Sequence, residues 1–93
     1  RLILALAPCP TGWDYEPAKS VEIGRLAVRT GIWPLKEYVD GKVVHMRVPK
    51  PRLPVEDYLR LQGRFRHLFA PQRNDAVIAA IQAEVDARWA GVS

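Results

Sequence analysis

Ninety-three residues suffice for one small domain or for part of a larger one, and a chain this short holds a thin stability margin. With 48 % hydrophobic and 26 % charged residues the composition is that of an ordinary globular protein, and no run approaches the roughly 20 apolar residues of a membrane span. The formal net charge of +4 is spread from Arg1 to Arg88, and its densest group (Arg60, Arg64, Arg66, His67) is short. That distribution argues for solvated surface or a protein contact rather than a nucleic-acid footprint.

In chain order, the first feature is the apolar run Leu2-Ile3-Leu4-Ala5-Leu6-Ala7, which predicts a strand covered on both faces in a parallel sheet. One basic residue precedes it and a Pro-Cys-Pro loop follows where a signal peptide would carry a small-residue cleavage site, so it does not read as a leader. A strand at the first residues must find its sheet partners elsewhere, and the chain therefore reads as a fragment or tail of a longer subunit. Pro8-Cys9-Pro10-Thr11-Gly12 ends the strand, since neither proline can donate to a ladder.

A helix is predicted over residues 17–30, with Pro17 in its first turn. Val21, Gly24 and Val28 form one row, widened by Ile23, Leu26 and Ala27, and Gly31 is the stop. Two β-prone runs, residues 33–39 and 42–48, flank Asp40-Gly41, a strong hairpin signal because both turn residues tolerate positive φ. An isolated hairpin is marginal, so this one is expected to pack on something. Residues 49–54 hold three prolines and read as a stiff, extended connector. A helix over residues 54–62 follows, with Val55, Tyr58, Leu59 and Gln62 on one face and Gly63 at its end. Arg64-Phe65-Arg66-His67-Leu68-Phe69 continues as a loop or short turn. The last helix is predicted over residues 75–90, capped by Asn74, with Ile78, Ile81, Val85 and Trp89 as its apolar stripe.

Chemistry is concentrated in one residue. Cys9 is the single cysteine, so it can form neither an internal disulfide nor a self-contained metal site. A free cysteine most often packs as a small apolar residue. Two flanking prolines hold this one more rigidly than packing requires, and a metal-bound thiolate needs a fixed direction and nearby N–H donors, which Thr11 and Gly12 can supply and Pro10 cannot. His45 and His67 lack a carboxylate or second histidine at ligand spacing. Asp14, Glu16, Glu22, Glu56, Asp57, Glu84 and Asp86 show no pairing pattern of acid–base catalysis, and no Gly-rich phosphate loop occurs. The residues taken alone leave two readings open: a ligand-bearing loop, or a small non-catalytic interaction or RNA-binding module in which Cys9 merely packs.

Three strings in order bear a family resemblance. Ala7-Pro8-Cys9-Pro10-Thr11-Gly12-Trp13, then Gly24-Arg25-Leu26-Ala27-Val28 through Thr30-Gly31-Ile32-Trp33-Pro34-Leu35-Lys36-Glu37-Tyr38, and finally Leu53-Pro54-Val55-Glu56-Asp57-Tyr58-Leu59 with Gln62-Gly63-Arg64-Phe65-Arg66-His67-Leu68, resemble the C-terminal part of the beta subunit of pyruvate and other 2-oxoacid:ferredoxin oxidoreductases. The resemblance implies an α/β segment, residues 1–93 forming the end of a thiamine-diphosphate-binding parallel-sheet domain: buried strand, helix, β-hairpin and two C-terminal helices. It implies an enzyme that converts a 2-oxoacid (pyruvate by default, or an aromatic one such as phenylglyoxylate) and coenzyme A to acyl-coenzyme A and carbon dioxide. Electrons leave through [4Fe–4S] clusters to ferredoxin or another acceptor. By the same resemblance Cys9 is the fourth ligand of one [4Fe–4S] cluster, the other three cysteines and the magnesium–thiamine-diphosphate site lying in the remainder of the beta subunit. The implied partners are that remainder and the other oxidoreductase subunits, with no nucleic acid and no membrane, in the cytoplasm. The segment alone is expected to be inactive.

Overall fold

In the computed structural model residues 2–91 are described; Arg1, the basic residue before the apolar run, lies outside them. Four α-helices and one hairpin follow in the order α1 (Pro10–Trp13), α2 (Ser20–Arg29), β1 (Leu35–Val39), β2 (Lys42–Arg47), α3 (Val55–Arg60) and α4 (Asp75–Trp89). Short 3₁₀ turns, Pro17–Lys19 and Gly63–Leu68, lead into α2 and follow α3. The expected mixture of helix and strand is present, and no helix among the described residues is long and apolar enough to cross a membrane.

The core joins α2, α3 and α4. Ile23 and Ala27 of α2 meet Val55, Tyr58 and Leu59 of α3, Leu68 of the second 3₁₀ turn, and Ile78, Val85 and Trp89 of α4, all buried. The predicted stripe of α4 is the face it buries, with Ile81 half-buried against the same cluster. In α2 the buried side is narrower than its apolar pattern. Val21 is 67 % exposed and, with Gly24 and Val28, lines an open cleft of about 800 Å³ shared with Leu35, Val48 and Leu53.

Polar groups lock the helices in place. Asn74 caps α4 as expected, its side chain accepting from the Val77 N–H at 3.2 Å. The Val55 N–H at the start of α3 donates to Gln82 Oε1 of α4 at 2.8 Å, giving a helix-end donor the acceptor it lacks within its own helix. The proline connector is tied down at its far end, where the Leu53 N–H donates to the Arg29 carbonyl at 2.9 Å and Arg52 pairs with Asp86 at 2.7 Å. Glu56 on α3 receives both Arg60 and Arg73, and Arg73 also reaches Asp75. These hydrogen bonds pull the Glu56 carboxyl down to about 2.

The hairpin forms where Asp40-Gly41 predicts it, with φ of 52° and 78° at the two turn residues. β1 and β2 pair antiparallel from Leu35 opposite Arg47 to Val39 opposite Lys42, with an irregularity between Glu37 and Tyr38. Every residue of both strands is exposed, so the covering surface expected for the hairpin is not supplied by these residues.

Residues 2–7 depart from expectation. No ladder includes them among the described residues, and Leu2, Ile3 and Leu4 are 90, 82 and 77 % exposed instead of buried. A strand exists through its neighbour's hydrogen bonds, and the one ladder among the described residues pairs β1 with β2 alone. An apolar run codes for burial but cannot supply its own partners.

Candidate metal-ligand site

Cys9 is exposed, at the junction between the apolar run and α1. Its backbone is extended (φ −118°, ψ 104°), the conformation that a residue before proline favours. Pro10 then occupies the first helical position, where its missing N–H costs nothing. The four-residue turn that results was expected as an irregular loop. It places the Gly12 N–H toward Cys9 Sγ, donating at 3.4 Å, while the Trp13 N–H donates to the Cys9 carbonyl at 2.9 Å. Of the two donors anticipated for the sulfur, Gly12 fills the role. A Cβ built on Gly12 would stand 3.5 Å from Sγ, ordinary van der Waals contact, so the amide's approach to the sulfur comes from the turn rather than from the missing side chain.

The turn is closed and fastened from the far end of the chain. Asp14 ends α1 in the left-handed region (φ 59°, ψ 73°), and its N–H and that of Tyr15 both reach the Pro10 carbonyl. The Gly63 N–H donates to the Asp14 carbonyl at 2.6 Å. The Asp14 carboxylate lies so close over Gly63 that a Cβ there would sit 2.0 Å from Oδ2. Arg64 lays its guanidinium over the Trp13 ring, 4.0 Å from the centroid, and over Phe65 at 4.6 Å. The same guanidinium donates to Gln62 Oε1 at 2.7 Å and to the Tyr58 hydroxyl at 3.2 Å. Gln62 is buried and donates to the Tyr58 carbonyl, and the Trp13 ring meets Tyr58 edge-on at 6.5 Å. Trp13, Asp14, Gly63 and Arg64 were not marked as site residues by sequence reasoning. The available signal was Trp13 four positions beyond Cys9, one helical turn away, but nothing in the sequence tied it to Arg64.

The remaining candidates are not drawn in. His45 is exposed on β2 opposite Glu37, and His67 is exposed in the second 3₁₀ turn. No group of three His, Cys, Asp or Glu among the described residues could hold a metal ion. The donor set suits one ligand position of a larger centre: a single exposed sulfur with a backbone N–H directed at it. A fully enclosed site would require further donors. In the basic loop Arg64 is engaged within the chain by stacking, while Arg66 stays exposed at 3.6 Å from Asp14 and His67 is exposed.

No family model matches the chain. It is similar to curated proteins over most of its length. One is the pyruvate synthase subunit PorB of Methanosarcina barkeri, 46 % identical over 84 residues, or 90 % of this chain and 28 % of that protein. The PorB of Methanothermobacter thermautotrophicus is 52 % identical over 79 residues, 85 % of this chain and 26 % of the relative. The ketoisovalerate oxidoreductase subunit VorB of Pyrococcus furiosus is 48 % identical over 69 residues, 71 % of this chain and 22 % of the relative. The chain thus spans between a fifth and a third of the length of the curated relatives it matches. Matched at this identity along most of its residues, the chain belongs with the beta subunits of pyruvate synthase and related 2-oxoacid oxidoreductases and corresponds to a C-terminal portion of such a subunit.

Proposed function

We propose that this segment serves a 2-oxoacid oxidoreductase by offering the Cys9 thiolate as one ligand of a [4Fe–4S] cluster. The observation that carries the reading is the exposed Cys9 sulfur on a proline-framed turn, with the Gly12 N–H aimed at it. A thiolate bound to iron keeps negative charge, and a backbone N–H donating to it offsets part of that charge without altering coordination. Pro8 and Pro10 restrict the backbone on either side, so the sulfur keeps one direction. This chain's residues thus hold and orient one sulfur; the other ligands belong to the remainder of the subunit.

In the whole enzyme we place the conversion of a 2-oxoacid, pyruvate by default, with coenzyme A to acyl-coenzyme A and carbon dioxide. The names of the relatives, pyruvate synthase and ketoisovalerate oxidoreductase, support a 2-oxoacid as substrate class. Thiamine diphosphate with magnesium would supply the carbanion chemistry in the remainder of the subunit, and the cluster single-electron transfer toward ferredoxin or a similar acceptor. The setting we assign is the cytoplasm.

The test is Cys9→Ala in the complete oxidoreductase. Iron and acid-labile sulfide are counted, and the reduced enzyme is examined by electron paramagnetic resonance. Loss of one cluster's iron and signal is expected, with subunit composition retained. An unchanged iron count and spectrum would show that Cys9 ligates nothing and would remove the proposal.

A further inference from the structure

Cys9 and Arg64 are far apart in sequence yet share one small structure. The Trp13 N–H closes the helical turn on the Cys9 carbonyl, and the Trp13 ring lies under the Arg64 guanidinium at 4.0 Å. Arg64 is itself aimed by Gln62 Oε1 at 2.7 Å and the Tyr58 hydroxyl at 3.2 Å. Gln62 and Tyr58 are buried at the end of α3, so the stack is rooted in the core although the guanidinium is exposed. Among the described residues Arg64 has no carboxylate partner. The Gly63 N–H bonds to the Asp14 carbonyl at 2.6 Å, making a second fastening between the same two segments.

We infer that Arg64 is a positioning residue for the cluster ligand: by stacking on Trp13 it holds the Cys9 turn so that the Gly12 N–H stays on the sulfur. This rests on the proposed ligand role of Cys9 and adds to it a residue that touches neither iron nor substrate. The guanidinium suits the task because it is planar. It can lie flat on the indole while its edge donates to Gln62 and Tyr58, which a lysine ammonium cannot do in one geometry. If the stack is lost, the turn keeps its fastening at Asp14 and the edge-on contact of Trp13 with Tyr58 but loses the guanidinium that holds the indole face, and the 3.4 Å contact between the Gly12 N–H and Sγ loosens. A hydrogen bond to a cluster sulfur stabilises the more negative reduced state, so its weakening lowers the reduction potential.

The experiment compares Arg64→Ala, Arg64→Lys and Cys9→Ala in the complete oxidoreductase. Read out are iron content, the electron paramagnetic resonance spectrum of each cluster and each midpoint potential. Arg64→Ala is expected to keep full iron while one cluster, the one missing in Cys9→Ala, shows altered g-values and a lower potential. Arg64→Lys is expected to resemble Arg64→Ala, because it restores charge without the flat stack. Wild-type potentials and spectra in Arg64→Ala would overturn the inference, as would full restoration by lysine, which would make charge alone the operative feature. Should Arg64→Ala fail to assemble, Trp13→Phe is measured in its place. It keeps a ring but a smaller face, and a shift of the same sign is expected; an unshifted cluster overturns the inference. An intact cluster inventory in Cys9→Ala would instead remove the ligand role itself, and the positioning role with it.

Discussion

The indole N–H of Trp89, at the end of α4, donates to the carbonyl of Gly31 at 2.8 Å, joining residues 58 positions apart. Gly31 turns the chain out of α2 with φ of 84°, and a Cβ there would stand 2.5 Å from Trp89 Nε1 and 3.0 Å from Arg52 Cδ. The glycine is needed twice, once for the left-handed backbone and once for the room the indole occupies. Gly31→Ala should destabilise the segment by on the order of 1–3 kcal/mol from backbone strain alone, with the steric conflict in addition. Trp89→Phe leaves the buried carbonyl without its donor and should cost about 1–3 kcal/mol. Hydrogen exchange of α2 and α4 amides in the complete subunit measures both, and unchanged protection would contradict them.

Gln82→Leu should cost about 1–3 kcal/mol, because the Val55 N–H then loses its acceptor at the start of α3. The loss should concentrate in α3, with faster exchange at Val55 as its local mark. Gln82→Glu retains an acceptor for the Val55 N–H but gives up the donor to Asp86 Oδ1 and sets two carboxylates together, so it should recover part of the protection at Val55. If leucine were tolerated as well as glutamate, the hydrogen bond would contribute nothing.

Glu56 gives a pH dependence of definite sign. Its carboxyl is held at about 2 by hydrogen bonds from Arg73 and Arg60, below its ordinary value near 4.5. The folded state therefore binds its proton less readily than the unfolded chain does. The contribution is present above about pH 4.5 and fades as the pH falls toward 2, when the carboxylate is protonated in both states. Glu56→Gln should flatten the acid limb of the stability curve between those values. The effect should be small and should shrink further in salt, since the group is exposed enough for screening. Thermal midpoints of wild type and variant at pH 3 and pH 7 make the comparison; equal differences at both values would contradict it.

Asn74→Ala tests the cap of α4 and should cost about 0.5–2 kcal/mol, toward the lower end for a contact this exposed. Asn74→Asp should be tolerated, since its carboxylate can accept from the same Val77 N–H. Helix-terminal exchange rates distinguish the two variants, and equal fraying would count against the cap.

What could be read from the sequence was local. Asp40-Gly41 specifies its turn through two neighbouring residues, and Asn74 with Ile78, Val85 and Trp89 specifies both the start and the buried face of α4. Residues 2–7 carry no ladder among the described residues, because hydrophobicity records a demand for burial while a ladder also requires the neighbouring strands that the sequence reading places elsewhere. The turn at Pro10–Trp13 was missed because four residues are too few for a periodic signal. Cys9 stood out through its two prolines and the family resemblance. Arg64 did not, because its stack on Trp13 depends on how α3 and the turn after it meet α1, and that geometry belongs to the tertiary fold.

The proline connector has a mechanical consequence. Its last residues are bolted to α2 and α4 through Leu53 and Arg52, while the hairpin ahead of it makes its contacts chiefly within itself. The hairpin is therefore an arm joined to the helical body at its base, and its tip at Asp40 and Gly41 is exposed, with nothing within 4 Å of a Cβ built on Gly41. Alterations at Asp40 or Lys42 can change what the arm touches without being transmitted to the helices, so this arm can be reshaped while the Cys9 turn keeps its support.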